Sequence, residues 1–271
     1  MFGEGIFDIF SEEKKDELES IDSHNESRNE KGFDSRKTFV ISLGGSVVVS
    51  DKINSPLLSK LAHKIDSLVK EGFNFVFVVG GGKTARDYVA GARTLGANNF
   101  ELDMLGINAS RLNAKLAVQA FESSFGKVFT SVEDFYSLKK IISMNRIPFF
   151  GGLIPGYTTD TVGALLAEFL NANFINLSNV EGVYSDDPKS NANAKFYPRL
   201  NHNELLKIVA RSSGLSASPS QNVILDLPCC LILKRSRIRA MVLNADDLEN
   251  LENAIKGYEF KGTLIESEFE S

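Results

Sequence analysis

Apolar residues along this chain fall into two kinds of run. Thr38–Leu43 and Phe75–Val79 are short and apolar at nearly every position, the pattern of strands buried on both faces. Between them Leu57, Leu58, Leu61, Ile65, Leu68 and Val69 recur at helical spacing, which predicts a helix. The alternation continues with helices over about Lys83–Thr94 and Leu102–Phe125, the second carrying Leu105, Leu112, Leu116 and Ala120 on one side. A strand at Val128–Thr130, a helix at Glu133–Met144 and a strand at Ile147–Phe150 complete the first half. The second half repeats the grammar. It predicts a helix from Thr159 through Phe169, a strand at Phe174–Leu177, and a polar loop through Pro188. Helices at Asn203–Arg211 and near Val223–Arg235 follow, then a strand at Ile238–Leu243, a helix at Asp246–Lys256 and a closing strand at Thr263–Ile265. Strands of this kind alternating with helices predict an α/β domain with a mostly parallel sheet covered on both sides.

Residues 1–36 break the pattern. Ser11–Lys31 is dominated by Glu, Lys, Asp, Ser and Asn, with too few apolar residues to bury a face, so a disordered extension is expected. The short apolar cluster Ile6, Phe7, Ile9 and Phe10 leaves room for one small helix there. Charge divides at the same place. Residues 1–36 hold 11 acids and 5 bases, a net −6, while the remainder is +1. The near-neutral body has no dense basic run interleaved with aromatics, which argues against a nucleic-acid surface. The bases from Lys234 to Arg239 read as a solvated helix end. Cys229 and Cys230 are adjacent and cannot staple distant segments, which suits a reducing, cytoplasmic setting and buried structural thiols. The three histidines are scattered without zinc-ligand spacing, so no protein-held metal is expected. The apolar run Phe75–Val79 is far too short to span a bilayer, and the N-terminus has no basic segment leading into an apolar one, so no membrane or secretory role is expected.

Candidate chemistry lies where strands end. Gly44–Gly45, Gly80–Gly82 and Gly151–Gly152 each follow a predicted strand, and ligands bind beyond the carboxyl ends of strands in such sheets. Glycine lets main chain approach a ligand and bares N–H groups, and Gly80–Gly82 leads directly into a helix whose first amides favour anions. One glycine pair is a tight turn; three in register point to phosphate, with two phosphate-bearing groups facing each other. Two familiar motifs fail here. Gly82-Lys83-Thr84 resembles the end of a Walker A loop, but Phe77 occupies the required earlier glycine. Gly80-x-Gly82-x-x-Ala85 meets the loose dinucleotide fingerprint, but Glu101 and Asp103 open a helix instead of ending a strand. In Gly151–Asp160 a Pro–Gly turn is followed by Thr158, Thr159 and Asp160 at a helix start. One residue suffices as a cap, so three suggest ligand contacts as well. The loop from Ser178 to Pro188 offers an aromatic face, carboxylates and a Gly turn, suited to an adenine and ribose or simply to a surface loop.

The order of these motifs resembles the amino acid kinase superfamily, and within it the uridylate (UMP) kinases of archaeal type. The matching pieces are Leu43-Gly-Gly-Ser46, Val79-Gly-Gly-Gly-Lys-Thr-Ala-Arg86, Leu105–Asn113, Gly151–Asp160, Asn179–Tyr184 with Asp187-Pro188, and Lys256–Ile265. The resemblance implies a three-layer α/β/α sandwich with a mostly parallel central sheet, residues 37–271. About 37–152 would serve as the acceptor half and about 153–271 as the ATP half. It implies transfer of the γ-phosphate of ATP to UMP with Mg²⁺, in a homohexamer. By position, Gly81, Asp103 and the turn Leu153, Ile154, Pro155, Gly156, Tyr157, Thr158 and Thr159 would hold UMP. Gly44, Gly45, Gly82 and Arg86 would face the transferring phosphates, and Ser178, Tyr184 and Asp187 the ATP nucleoside. Arg86, Asp160 and Gly45 carry the catalytic assignment.

The sequence departs from the superfamily in two places. Many members carry a lysine where Ser42 stands, so that charge must come from Arg86, Lys83 or metal. Asp226-Leu-Pro-Cys-Cys-Leu231 replaces a commoner segment that ends in lysine. Two other readings keep the scaffold: a kinase for a carboxylate, carbamate or isopentenyl phosphate, and a non-catalytic nucleotide or oxyanion binder.

Overall fold

The computed structural model describes residues 34–125, 130–132, 138, 146–186, 188, 190–191, 193–212 and 224–267. The strands are β1 (Thr38–Leu43), β2 (Asn74–Val79), β3 (Thr130–Val132), β4 (Pro148–Phe150), β5 (Asn173–Ser178), β6 (Val183–Tyr184), β7 (Phe196–Tyr197), β8 (Arg199–Asn201), β9 (Ala240–Asn244) and β10 (Thr263–Glu266). The α-helices among the described residues are α1 (Gly45–Val48), α2 (Ser55–Lys70), α3 (Gly82–Thr94), α4 (Asn99–Phe125), α5 (Thr159–Leu170), α6 (His202–Ser212), α7 (Leu227–Arg235) and α8 (Leu248–Lys256). Among the described residues, eight strands form one sheet in the order β3-β4-β2-β1-β5-β9-β10-β8, and β6 and β7 form a separate pair. Strands β3, β4, β2, β1, β5 and β9 are mutually parallel. Their carboxyl ends therefore share one edge, and the three glycine clusters meet there.

Strand alternation sorts side chains to two cores. Phe39, Ile41 and Leu43 of β1 pack with α2, α4 and α8, where Phe77 stacks on Phe149 at 4.7 Å and Phe121 meets both edge-on. Val40 packs on the other face with α5, α6 and α7, against Val162, Leu205, Cys229 and Leu233. The residues from Asp34 onward form a single packing unit. Ser35–Lys37, assigned by sequence partly to the extension, form a 3-10 turn whose Asp34 cap accepts from the Arg36 amide.

Several predicted elements shift. The strand expected at Val128–Thr130 is Thr130–Val132, with Val128 and Phe129 outside the described residues. The helix expected at Glu133–Met144 also lies outside them, apart from the buried Leu138. Helix α7 starts at Leu227, not near Val223, because Asp226 caps it and Pro228 occupies its first turn. The polar loop after β5 contains β6, which pairs with β7, and β8 joins the sheet edge. The closing strand β10 runs antiparallel to β9.

Candidate active site

The parity of β1 that builds the two cores also builds the site. Ser42 shares the face of Val40, is fully buried, and is paired in register with Asn176 of β5. Both point toward the first turn of α5. The Ser42 hydroxyl donates to Asp160 Oδ1 at 2.6 Å, and the Asn176 amide donates to the same oxygen at 2.9 Å. Burial pushes the Asp160 carboxyl up from its ordinary 3.8 to about 6, the nearby Asp226 charge adds to the rise, and the Ser42 and Asn176 bonds hold it back. Asp160 and Asp226 make no ion pair with a lysine or arginine among the described residues.

Asp226 fastens two helix starts together. As the cap of α7 it accepts from the Cys229 amide at 2.9 Å, and it accepts from the Thr161 hydroxyl at 2.8 Å and from the Thr158 hydroxyl. Thr158 is itself the cap of α5, accepting from the Thr161 amide. Cys229 and Cys230 are buried beside this clasp, and burial raises both thiols, Cys230 to about 12, which fits structural thiols.

At the rim, the β1 and β2 loops interlock. A Cβ on Gly45 would lie 2.0 Å from the Gly82 nitrogen, and Gly82 has φ +58. Glycine is required at both positions, by space at Gly45 and additionally by backbone conformation at Gly82. The Gly44 amide donates to the Leu177 carbonyl at 2.9 Å, so this N–H extends the sheet and does not face a ligand. The amides of Gly45, Gly81 and Gly82 meet no acceptor outside their own helices among the described residues. Arg86, on the second turn of α3, reaches over this loop to donate to Ser46 Oγ at 3.3 Å. Lys83 is held by Asp87 at 2.6 Å.

Behind the β2 loop, α3, α4 and the segment after β4 enclose a cleft of about 360 Å³. Gly81, Asp103, Ile154, Tyr157, Thr158 and Thr159 line it. Asp103 accepts from the Gly156 amide at 2.8 Å and so pins the Pro155–Gly156 turn. Leu153 packs partly into the core beneath α5 instead. Sequence reasoning missed three residues that shape this cleft. Asn113 donates to the carbonyls of Gly80 and Gly81, at 2.8 and 3.0 Å. Ser110 accepts from the Gly152 amide at 2.7 Å, and Arg93 lines the far end. Asn113 and Ser110 both stand within the quoted Leu105–Asn113 stretch, the one signal that pointed to them.

On the β5 side, the Ser178 hydroxyl is buried without a partner among the described residues, and a Cβ on Gly44 would lie 3.5 Å from the Ser178 Cβ. Tyr184 packs against Phe196 at 5.2 Å, and Thr263 ties the β6–β7 pair to β10 by accepting from the Val183 amide and donating to the Tyr197 carbonyl. Asp187 lies outside the described residues.

The amino acid kinase family pattern matches residues 37–244. Over 227 residues the chain is 44% identical to the uridylate kinase of Archaeoglobus fulgidus, covering 83% of this chain and 98% of that one. It is 38% identical over 229 residues to the uridylate kinase of Pyrococcus abyssi, at 84% and 98% coverage. Superposition on the crystal structure of the Archaeoglobus fulgidus enzyme gives a TM-score of 0.71 at 39% identity, covering 84% of this chain and 99% of that one. The UMP kinase of Bacillus anthracis gives 0.72 at 25% identity, with 86% and 97% covered. With the sheet order, the glycine rim and this extent of likeness in agreement, the chain belongs to the amino acid kinase family.

Proposed function

We propose that the protein transfers the γ-phosphate of ATP to UMP, giving UDP and ADP. The observation that carries the reading is the acceptor cleft. It holds Asp103, Thr158 and Thr159, and it opens at Gly81 onto the interlocked glycine loops, in a chain whose relatives at 44% and 38% identity are uridylate kinases. In this reading Asp103 accepts from the ribose hydroxyls, and the Leu153–Thr159 turn, fixed by Asp103 and Asp226, closes over the nucleoside. The triphosphate enters from the β5 side, where the unpaired Ser178 hydroxyl offers a hydrogen bond and the β6 region around Tyr184 and Asp187 receives the nucleoside.

Phosphoryl transfer needs positioning and charge neutralisation more than covalent help from the protein. The amides of Gly45, Gly81 and Gly82 face the moving group, joined by the α3 N-terminus and by Arg86, which already bends over the loop. Asp160 holds the Ser42 and Asn176 donors and keeps β1, β5 and α5 in register at the reacting end. The donors fit a divalent ion carried in on the triphosphate. Among the described residues no three His, Cys, Asp or Glu side chains converge, and Mg²⁺ is commonly held by one carboxylate, waters and substrate phosphates. Asp160 is the carboxylate at the rim that would hold such an ion, which would neutralise phosphate charge. No described helix is long and apolar enough to cross a membrane. A cytoplasmic homohexamer of this kinase completes the reading.

ADP release measured with UMP, CMP and the other monophosphates in parallel tests it. UMP is expected to be the preferred acceptor, and Arg86→Ala is expected to cut turnover by about 100-fold. Binding of both nucleotides without turnover, or full turnover in Arg86→Ala, would refute the mechanism.

A further inference from the structure

We propose that Arg93 reads the base of the acceptor nucleotide, its guanidinium donating to a pyrimidine carbonyl at the far end of the cleft and so favouring uracil over cytosine. The inference rests on the uridylate kinase reading and deepens it. Helix α3 runs along one wall of the cleft, with Ala85, Val89 and Arg93 lining it at four-residue spacing. Helix α4 runs back along the same space. The Gly106 carbonyl lies against Gly81, Asp103 follows one turn away, and Asn99 another turn beyond. The cleft therefore has an order. The glycine rim and Arg86 mark the phosphate end, Asp103 the ribose position, and Arg93 with Asn99 the base end. Arg86 and Arg93 are separated by about 10 Å of helix axis, a span that the phosphate-to-base distance of a nucleoside monophosphate fills.

The cations of α3 differ in what they hold. Lys83 is paired with Asp87, and Arg86 donates to Ser46. Arg93 is exposed and has no side-chain partner among the described residues, although its carbonyl accepts from the Gly96 amide. Its guanidinium carries donors only. Uracil presents a carbonyl acceptor at C4, where cytosine presents an amino donor, so the same guanidinium that satisfies uracil faces cytosine donor to donor. Once a bound base covers Arg93 and displaces its water, cytosine would leave both donors unpaired, the kind of mismatch that discriminates most strongly.

The test is steady-state kinetics of the full chain, wild type against Arg93→Gln and Arg93→Lys, with UMP and CMP as acceptors and thermal unfolding as a folding control. Arg93→Gln is expected to raise KM for UMP about tenfold while kcat changes less than about twofold. CMP kinetics should hold or improve, because the donor facing the cytosine amino group is gone and the glutamine carbonyl can accept from it, so the UMP preference shrinks by at least the same factor, and Arg93→Lys should recover part of it. Unchanged KM for UMP, or an equal loss with both acceptors, would overturn the assignment while leaving the kinase reading intact. A wild-type protein inactive with UMP would overturn that reading, and this proposal with it.

Discussion

Replacing Asp160 by Asn should stabilise the folded protein at neutral pH while impairing turnover. The carboxyl sits between Ser42 and Asn176, with Asp226 nearby, and no cation joins it among the described residues. Its rise from 3.8 to about 6, caused first by burial, means that the native state binds this proton more tightly than the unfolded chain does. Stability from this group is therefore greatest below about pH 4, declines as pH climbs from about 4 to about 6, and carries the full penalty above that. The displacement converts to about 3 kcal/mol. Asparagine is nearly isosteric and neutral at every pH, and its side-chain carbonyl still accepts from both donors. Urea unfolding of wild type and Asp160→Asn, at fixed protein concentration and in a pH series, reads the difference directly. The variant should be more stable by about 3 kcal/mol at pH 7.5, and the gap should close near pH 4. A variant no more stable than wild type at pH 7.5, or a gain that ignores pH, would refute the argument that the site keeps a carboxylate against the preference of the fold.

Two further predictions address the scaffold of the site. Gly45→Ala places a methyl group 2.0 Å from the Gly82 nitrogen, so the two loops must part; turnover should collapse and thermal unfolding should move down, and wild-type kinetics would show that the loops need not touch. Asp226→Ala removes the cap of α7 and the acceptor of the Thr158 and Thr161 hydroxyls. It should cost about 2–3 kcal/mol in urea unfolding and raise KM for UMP, whereas an unchanged KM would mean that the clasp does not set the acceptor turn.

What the sequence discloses depends on how local the cause is. β1 and β2 are central strands buried at nearly every position, so they read as nearly continuous apolar runs that end in glycine, and helices with one apolar stripe stand out likewise. The β6–β7 pair and β8 are two or three residues long and partly exposed, which leaves no period to detect. The antiparallel direction of β10 follows from where the chain returns, not from its own residues. The site divides the same way. Its glycines and the Thr158–Asp160 turn are contiguous motifs. Asn113, in contrast, braces a loop 32 and 33 positions earlier, and Arg93 reaches the cleft only because α3 and α4 fold back on each other.

Ser42 shows the limit most clearly, because the sequence registers it as a missing charge while the structure gives it a role. Its parity with Val40 aims it away from the aromatic core and onto Asp160. Burial raises the carboxyl, and the hydroxyl bond only holds that rise back in part, where a neighbouring cation would have opposed it far more. Lys83 is paired with Asp87, and Leu231 carries no charge. Arg86 remains, the cation of α3 that lies over the β1 loop. The charge that neutralises a phosphoryl group moving across this rim must then come from Arg86, the loop amides and an ion brought in with ATP. It follows that losing Arg86 should harm this protein more than it would a relative that has kept the lysine.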